Sequence, residues 1–370
     1  MTSSPRVLAL VGREDGSALW REFQPMAELT RQGHVAEWCR LDDVPLVFEQ
    51  VALGVYDAII LPRLSWRGDE RWIGRAWVDK LHQAGCTVIY ELDDDTLTPQ
   101  IVWRQQLTIE RDKSLEDLEH MRRERIAAIR MCDGVTVSNH TLAKVVRQYV
   151  ETPVRVVPNL VDIRWYRYTL RGVKRVVPPL TIGWAGGARY PEDLEPIAAA
   201  WHTIARRYPD VHFVALGYVA PALHAAVPAD RLHQFEWRSV DAYLLDLKNI
   251  DIGCANVAQN HFNTCKTPIK AWEYTMAGAA VVTSPTLYES VVTDGQDGLV
   301  AETAREWVQA LSRLIEDPRL RRRLWRNQRR RVAEQHALEK YAAMWLDAWS
   351  DIIAAHRTKR WWSSVFEVAV

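Results

Sequence analysis

Residues 250–284 read IDIGCANVAQNHFNTCKTPIKAWEYTMAGAAVVTS. The apolar run IDIGCA (250–255) opens the stretch and AVVTS (280–284) closes it, each with the look of a buried strand. Between them a short helix is expected, with Thr267 able to cap it, Pro268 suited to its first position and Gly278 to its C-terminal end. Strand, helix and strand in this order make one β-α-β unit. The chain has nine lysines against 38 arginines, and two of the nine, Lys266 and Lys270, stand at this helix start. A helix N-terminus offers unpaired N–H groups and partial positive charge, so added lysines there suit a phosphate. Lys270 and Glu273 lie three apart and share a face. Glu273, one turn deeper, can accept hydrogen bonds from ribose hydroxyls. The plain alternative is a surface ion pair worth about 0.3–0.5 kcal/mol.

The same alternation extends outward in both directions. Upstream, RVLALV (6–11), YDAIILP (56–62), CTVIY (86–90), GVTVS (134–138) and VRVVP (154–158) read as strands. Helices are expected over about 18–32, ending at Gly33, and over about 70–84. Residues 158–179 carry Pro, Gly and charge without a clear period and read as a linker. The alternation then restarts with LTIGWAG (180–186), a helix near 193–207, VHFVALG (211–217) and RLHQFEW (231–237). Three helices close the chain, the last with an apolar stripe at Tyr341, Trp345, Trp349 and Ile352. Repeated β-α units imply parallel, doubly wound sheets. Two such halves are expected to face a cleft, with ligands outside the carboxyl ends of the strands.

The bulk properties exclude several classes. The 370 residues are long enough for two domains, and 48% apolar with 25% charged residues fits a chain with a real core. Formal net charge is zero, which gives no global attraction to nucleic acid or anionic membrane. The apolar run in MTSSPRVLALVG is too short for a signal peptide, and no stretch reaches the ~18–20 residues of a membrane span. Cys39, Cys86, Cys132, Cys254 and Cys265 form no C-x-x-C pair, so they read as reduced thiols and suggest no structural zinc site. The expected location is cytoplasmic, with peripheral membrane contact as the variant.

A second phosphate candidate is IGWAGGARYPEDL (182–194), where a strand runs into Gly186-Gly187 and a helix begins near Pro191 with Glu192 and Asp193 in its first turn. It is not G-x-G-x-x-G, so the dinucleotide fingerprint is absent. A plain tight turn is the alternative, and Arg189 suits either a pyrophosphate or Glu192.

Taken together these segments resemble the GT-B glycosyltransferases, specifically the family 4-like retaining enzymes. The residues that carry the resemblance are Pro268, Lys270, Glu273, Tyr274 and Gly278, followed by VVTS. TLYESVVTDGQDGLV (286–300), with Glu289, Gly295 and Gly298, extends it, as do CDGVTVSNHTLAKVV and VRVVPNLVD. The resemblance implies an α/β fold of two Rossmann-like domains: an acceptor side over 1–165, joined by a C-terminal helix over about 341–370, and a donor side over 170–340. It implies transfer of a sugar from a nucleotide-diphosphate-sugar, UDP- or GDP-linked, to an unknown hydroxyl acceptor, with retention and with no metal or bound cofactor. The acceptor would be a glycan, a lipid-linked molecule or another hydroxyl compound. Glu273 would take the ribose, with Gly186, Gly187, Arg189, Lys266, Thr267 and Lys270 around the diphosphate. Trp237 and Arg238 would meet the base, and Tyr288 and Glu289 would complete the donor site.

Two departures stand out. The family has a glutamate eight positions before the ribose glutamate, and here that position is Cys265. A thiol is no charged acceptor, so Asn263 is the expected substitute. Many relatives place a His-Asp pair after the fourth strand, whereas this chain has Asp93, Asp94 and Asp95 in VIYELDDDTL. These could orient acceptor hydroxyls or act as base; helix capping is the alternative. A nucleotide-sugar epimerase and a catalytically silent nucleotide-sugar-binding subunit are the competing functions. Weaker features are the arginine-rich RLRRRLWRNQRRR (319–331), expected to pair partly with Glu316, Asp317 and Glu334, and the basic-aromatic tail 356–366. Arg21, Pro25 and Arg63 are further candidates for the cleft border, with surface salt bridges as their alternative.

Overall fold

The computed structural model describes residues 4–12, 15–40, 54–62, 75–101, 104, 112–177, 180–187, 190–217 and 221–367, with side chains described to residue 359. Arg63, Arg189, part of the expected 70–84 helix and the tail side chains from 360 onward lie outside the described residues. The chain forms two compact units, Met1–Leu160 with Leu338–Val370, and Val161–Ala337.

The first unit is built on a parallel sheet in the order β2-β1-β3-β4-β5-β6. Its strands are β1 (Val7–Val11), β2 (Ala36–Arg40), β3 (Ala58–Pro62), β4 (Thr87–Leu92), β5 (Gly134–Val137) and β6 (Val154–Val156). β1, β4 and β5 are buried at every residue, as helices on both faces of a parallel sheet require. β2 carries no such run. It is the edge strand, so Glu37 and Trp38 face solvent, and its mixed residues hide it from a hydrophobicity reading. The helices include α1 (Gln24–Arg31), α2 (Arg75–Gln83), α3 (Leu115–Met131) and α4 (His140–Val146). The expected single helix over 18–32 is interrupted by a wider π turn at Leu19–Phe23. Pro25 has no N–H for the Arg21 carbonyl, which accounts for the loosened turn. The C-terminal helix Ala343–Glu367 packs on this unit, where Trp345, Trp349 and Ile352 share a core with Val7, Ala58, Ile60 and Ile89.

Arg21 is not a surface residue: it is 2% exposed. Its Nε donates to Glu91 Oε1 at 2.7 Å, and its Nη1 donates to the Val157 carbonyl at 2.7 Å and to Asn159 Oδ1 at 2.8 Å. Thr136 donates to the other Glu91 oxygen. Burial pushes the Glu91 carboxyl up to about 7 against the pull of Arg21 and Thr136. Pro25 is buried as well.

The second unit holds a parallel sheet in the order β12-β11-β10-β7-β8-β9. Its strands are β7 (Thr181–Gly186), β8 (His212–Gly217), β9 (Leu232–Phe235), β10 (Ile252–Ala255), β11 (Ala280–Thr283) and β12 (Leu299–Val300). The helices include α5 (Ile163–Thr169), α6 (Pro191–Arg207), α7 (Val240–Leu247), α8 (Ile269–Ala277), α9 (Ala304–Glu316) and α10 (Pro318–Gln335). The expected linker therefore contains α5, capped by Asp162, which accepts from the Trp165 N–H at 2.8 Å. Seven residues are too few to display a period. Trp184, Trp201, Phe213, Trp307 and Leu311 fill the core of this unit. β7 pairs with both β8 and β10, so the strand order reverses there, and the carboxyl ends of β7 and β10 flank a topological switch point.

Two of the acids expected to pair with the arginines of α10 have other partners as well. Glu316 receives Arg207 and Tyr208. Asp317 caps α10 through the N–H groups of Arg319 and Leu320, each at 2.9 Å. Arg331 pairs with Asp297 at 2.9 Å. Among the described residues, no helix is long and apolar enough to cross a membrane.

Candidate functional site

α8 begins at Ile269, with Pro268 rather than Thr267 at its cap position and no side-chain cap. Gly278 ends it in the left-handed conformation at φ 111°, as only glycine does without strain. Lys270 and Glu273 meet on the face of α8: Lys270 Nζ donates to Glu273 Oε2 at 2.6 Å. The pair is not superficial. The ion pair of the plain alternative forms, but side-chain exposure of 17% for Lys270 and 5% for Glu273 places it below the surface. A third group closes the arrangement. Tyr243 Oη donates to the same Glu273 oxygen at 2.7 Å and accepts from Lys270 Nζ at 2.7 Å. Tyr243 comes from α7, whose start is fixed by Ser239 accepting from the Ala242 N–H at 3.2 Å. Burial first, then the Glu273 charge, holds the phenols of Tyr243 and Tyr166 well above the ordinary tyrosine range. Both therefore stay neutral and able to donate beside the carboxylate.

The chain between β10 and α8 is organised by Asp193, in the first turn of α6. Asp193 Oδ1 accepts from the Ala258 N–H and from Asn263 Nδ2, each at 2.8 Å. Its carbonyl accepts from Asn256 Nδ2 at 2.6 Å. Asn263 Nδ2 also donates to the Ala258 carbonyl at 2.9 Å. Asn263, expected to stand in for the missing glutamate, is wholly buried with its amide nitrogen committed to this loop. Cys265 is equally buried. The two lysines are held differently. Lys266 Nζ lies 4.2 Å above the Phe262 ring, while Lys270 reaches Glu273.

At the end of β7, Gly186 is paired in register with Gly217 of β8, and Gly187 is exposed with open space around it. Gly217 has φ +82°, and a Cβ there would lie 2.5 Å from the Gly186 carbonyl oxygen, so a side chain is excluded beside the turn. Tyr274 bridges the switch point. Its Oη accepts from the Ala185 N–H at 2.7 Å and donates to the Cys254 carbonyl at 3.3 Å, linking the ends of β7 and β10.

The remaining expected residues divide. Trp237 is 47% exposed, with its ring 5.4 Å from that of Tyr243, so it borders the Lys270–Glu273 group. Arg238 is turned to Asp246 at 2.5 Å. Tyr288 is buried in the short helix Pro285–Tyr288, and Glu289 is exposed. In the first unit, Asp95 is fully buried. It accepts from the N–H groups of Leu97 and Thr98 at 2.9 and 3.1 Å and from the Thr98 hydroxyl at 2.6 Å, an Asx turn rather than the expected helix cap. Asp93 and Asp94 are half-buried. Sequence reasoning missed Tyr243 and Gly217, and it noticed Asp193 only as a first-turn acid.

Residues 195–347 match the family model described as glycosyl transferase-like. Comparison with curated proteins finds no match. Among solved structures, the chain is similar to a sucrose-phosphate synthase from Thermosynechococcus elongatus, at 15% identity and TM-score 0.61, covering 95% of this chain and 100% of that one. It is similar to Anabaena HepE in complex with UDP and glucose, at 14% identity and TM-score 0.59, covering 94% and 100%. It is also similar to an E. coli trehalose-6-phosphate structure bound with UDP-2-fluoro glucose, at 11% identity and TM-score 0.56, covering 94% and 99%. The domain match and the two-sheet fold point to one class: residues 195–347 carry a glycosyl transferase-like domain, and the chain has the GT-B fold. Within that class the Pro268-x-Lys270-x-x-Glu273 helix has the family 4-like pattern.

Proposed function

We propose that the chain transfers a sugar from a nucleotide-diphosphate-sugar to an acceptor hydroxyl, and that the second unit holds the donor. The observation that carries this reading is the buried Lys270–Glu273–Tyr243 triangle beside the start of α8. Both bonds to Glu273 fall on Oε2, so the ribose hydroxyls are assigned to Oε1. The diphosphate is assigned to the first turn of α8 and the Gly186-Gly187 end of β7, with Lys270 and Lys266 as its cations. Lys270 would exchange Glu273 for phosphate, and Tyr243 would keep the carboxylate hydrogen-bonded when it does. As the bond between sugar and phosphate breaks, negative charge grows on the leaving diphosphate, where the lysines and helix N–H groups stabilise it. Trp237 offers an exposed ring for the base.

Asp93 and Asp94 are the acceptor-side candidates; Asp95 is assigned to the turn after β4. Retention and independence of metal rest on the family resemblance. UDP-bound structures of similar fold favour a UDP-sugar, with GDP-sugar next. The acceptor class and peripheral membrane contact belong to the same proposal. The buried Cys265 in place of a glutamate supports one second reading, a binding subunit without transfer. Incubation with UDP-, GDP-, ADP- and TDP-sugars, following release of nucleoside diphosphate with and without hydroxyl acceptors, decides between them. Slow release from one nucleotide class, accelerated by an acceptor, is expected. Binding without any release would leave only the second reading.

A further inference from the structure

The first unit gathers three side chains of metal-binding type from distant parts of its chain. His82 lies at the end of α2, Asp133 just before β5, and His356 in the C-terminal helix Ala343–Glu367. His82 Nε2 is 2.9 Å from Asp133 Oδ2, and His356 Nδ1 is 2.6 Å from Asp133 Oδ1. The two imidazoles stack with centroids 5.1 Å apart and 30° between planes, so both rings direct a nitrogen at the same carboxylate. One donor atom from each residue falls within 4.8 Å of the other two. The Val88 N–H donates to Asp133 Oδ2 at 2.8 Å and fixes the carboxylate from the sheet side.

We propose that His82, Asp133 and His356 form a divalent-metal site of zinc type that ties the C-terminal helix to the first sheet. Two imidazole nitrogens and one carboxylate oxygen suit zinc and its first-row neighbours rather than magnesium or calcium, which take oxygen ligands. Bonds of ~2.0–2.2 Å in a tetrahedral site place donor atoms about 3.3 Å apart. Reaching that geometry requires the two nitrogen–oxygen contacts to open and the nitrogen–nitrogen separation to stay short or close, changes that side-chain rotation supplies. The metal would replace the shared hydrogens between imidazole and carboxylate, each neutral imidazole moving its proton to its other nitrogen. Side-chain exposure is 11% for Asp133 and 8% for His356 but 28% for His82, so the open fourth position for water lies on the His82 side. The role is structural. Asp133 sits beside Gly134, the first residue of β5, and His356 lies four residues beyond Ile352 of the core, so one ion would pin helix to sheet.

The test uses the full chain with any affinity tag removed. The protein is stripped with a chelator, exchanged into Zn²⁺ or Co²⁺, freed of excess metal by gel filtration and analysed for metal. The expected result is about one retained equivalent, a visible Co²⁺ absorption of four-coordinate type, and a melting temperature a few degrees above that of the stripped protein. His82→Gln, at the most exposed of the three positions, and His356→Gln should each lose the absorption and the melting shift. Retention below about a tenth of an equivalent, or equal retention by the variants, would overturn the site and leave a hydrogen-bonded clamp. Neither result bears on nucleotide binding by the second unit.

Discussion

At the residue scale the candidate donor site turns on one carboxylate and the groups that hold it. Tyr243→Phe removes the donor to Glu273 and the acceptor for Lys270 while keeping the ring. A hydrogen bond to a charged group is worth about 1.5–3 kcal/mol, so the donor KM should rise about tenfold or more with kcat less affected. Steady-state kinetics at varied donor checks the split. Arg21→Met tests a different buried pair: it leaves the wholly buried Glu91 without its cation and should destabilise the fold by about 3–5 kcal/mol, read by chemical denaturation. The Lys270–Glu273 pair was legible in the sequence because both residues sit on one helix at a spacing that fixes their meeting. Tyr243 was not, because it comes from another helix thirty residues upstream, and nothing in the linear pattern couples the two. The Asp193–Asn263 bond spans seventy residues and was hidden for the same reason. Asn263 looked like a free amide because its acceptor was invisible.

At the element scale, the buried strands announced themselves and the marginal elements did not. β1, β4, β7 and β10 are continuous apolar runs because helices cover both faces of each sheet. The edge strand β2 and the seven-residue α5 carry too little burial to leave a period: the sequence reading assigns no element to 36–40 and places 163–169 in a linker. The turn after α10 supplies a pH prediction. His336 follows that helix and packs against the ring of Trp272 of α8, with centroids 4.8 Å apart and the planes tilted by 35°. Burial, aided by Arg331, pushes its imidazole down to about 4 from the ordinary 6.5. The unfolded chain therefore binds the proton more readily across that window. The stability this group contributes is fully present above pH 6.5 and is lost as pH falls toward 4. His336→Phe keeps the ring packing and should flatten this part of the profile, as thermal melts between pH 4 and 7 would show.

At the scale of the whole molecule, each unit has its own parallel sheet and core, and the chain returns to the first unit at Leu338. The apolar stripe at Trp345, Trp349 and Ile352 marked a buried helix, while its return to the first unit was expected only from the family resemblance. Trp349 is fully buried in the first core. Trp349→Ala should cost about 3–5 kcal/mol, measured by denaturant unfolding. The GT-B fold was legible as a family resemblance, carried by Pro268, Lys270, Glu273, Tyr274, Gly278 and the VVTS strand. The central claim is that the second unit binds a nucleoside diphosphate through Glu273. The most direct measurement is a thermal-shift panel of UDP, GDP, ADP, TDP and their sugars on wild type and Glu273→Ala. The melting temperature should rise with one nucleotide family, and the rise should disappear in the variant. No rise with any nucleoside diphosphate, or an equal rise in Glu273→Ala, would contradict that claim.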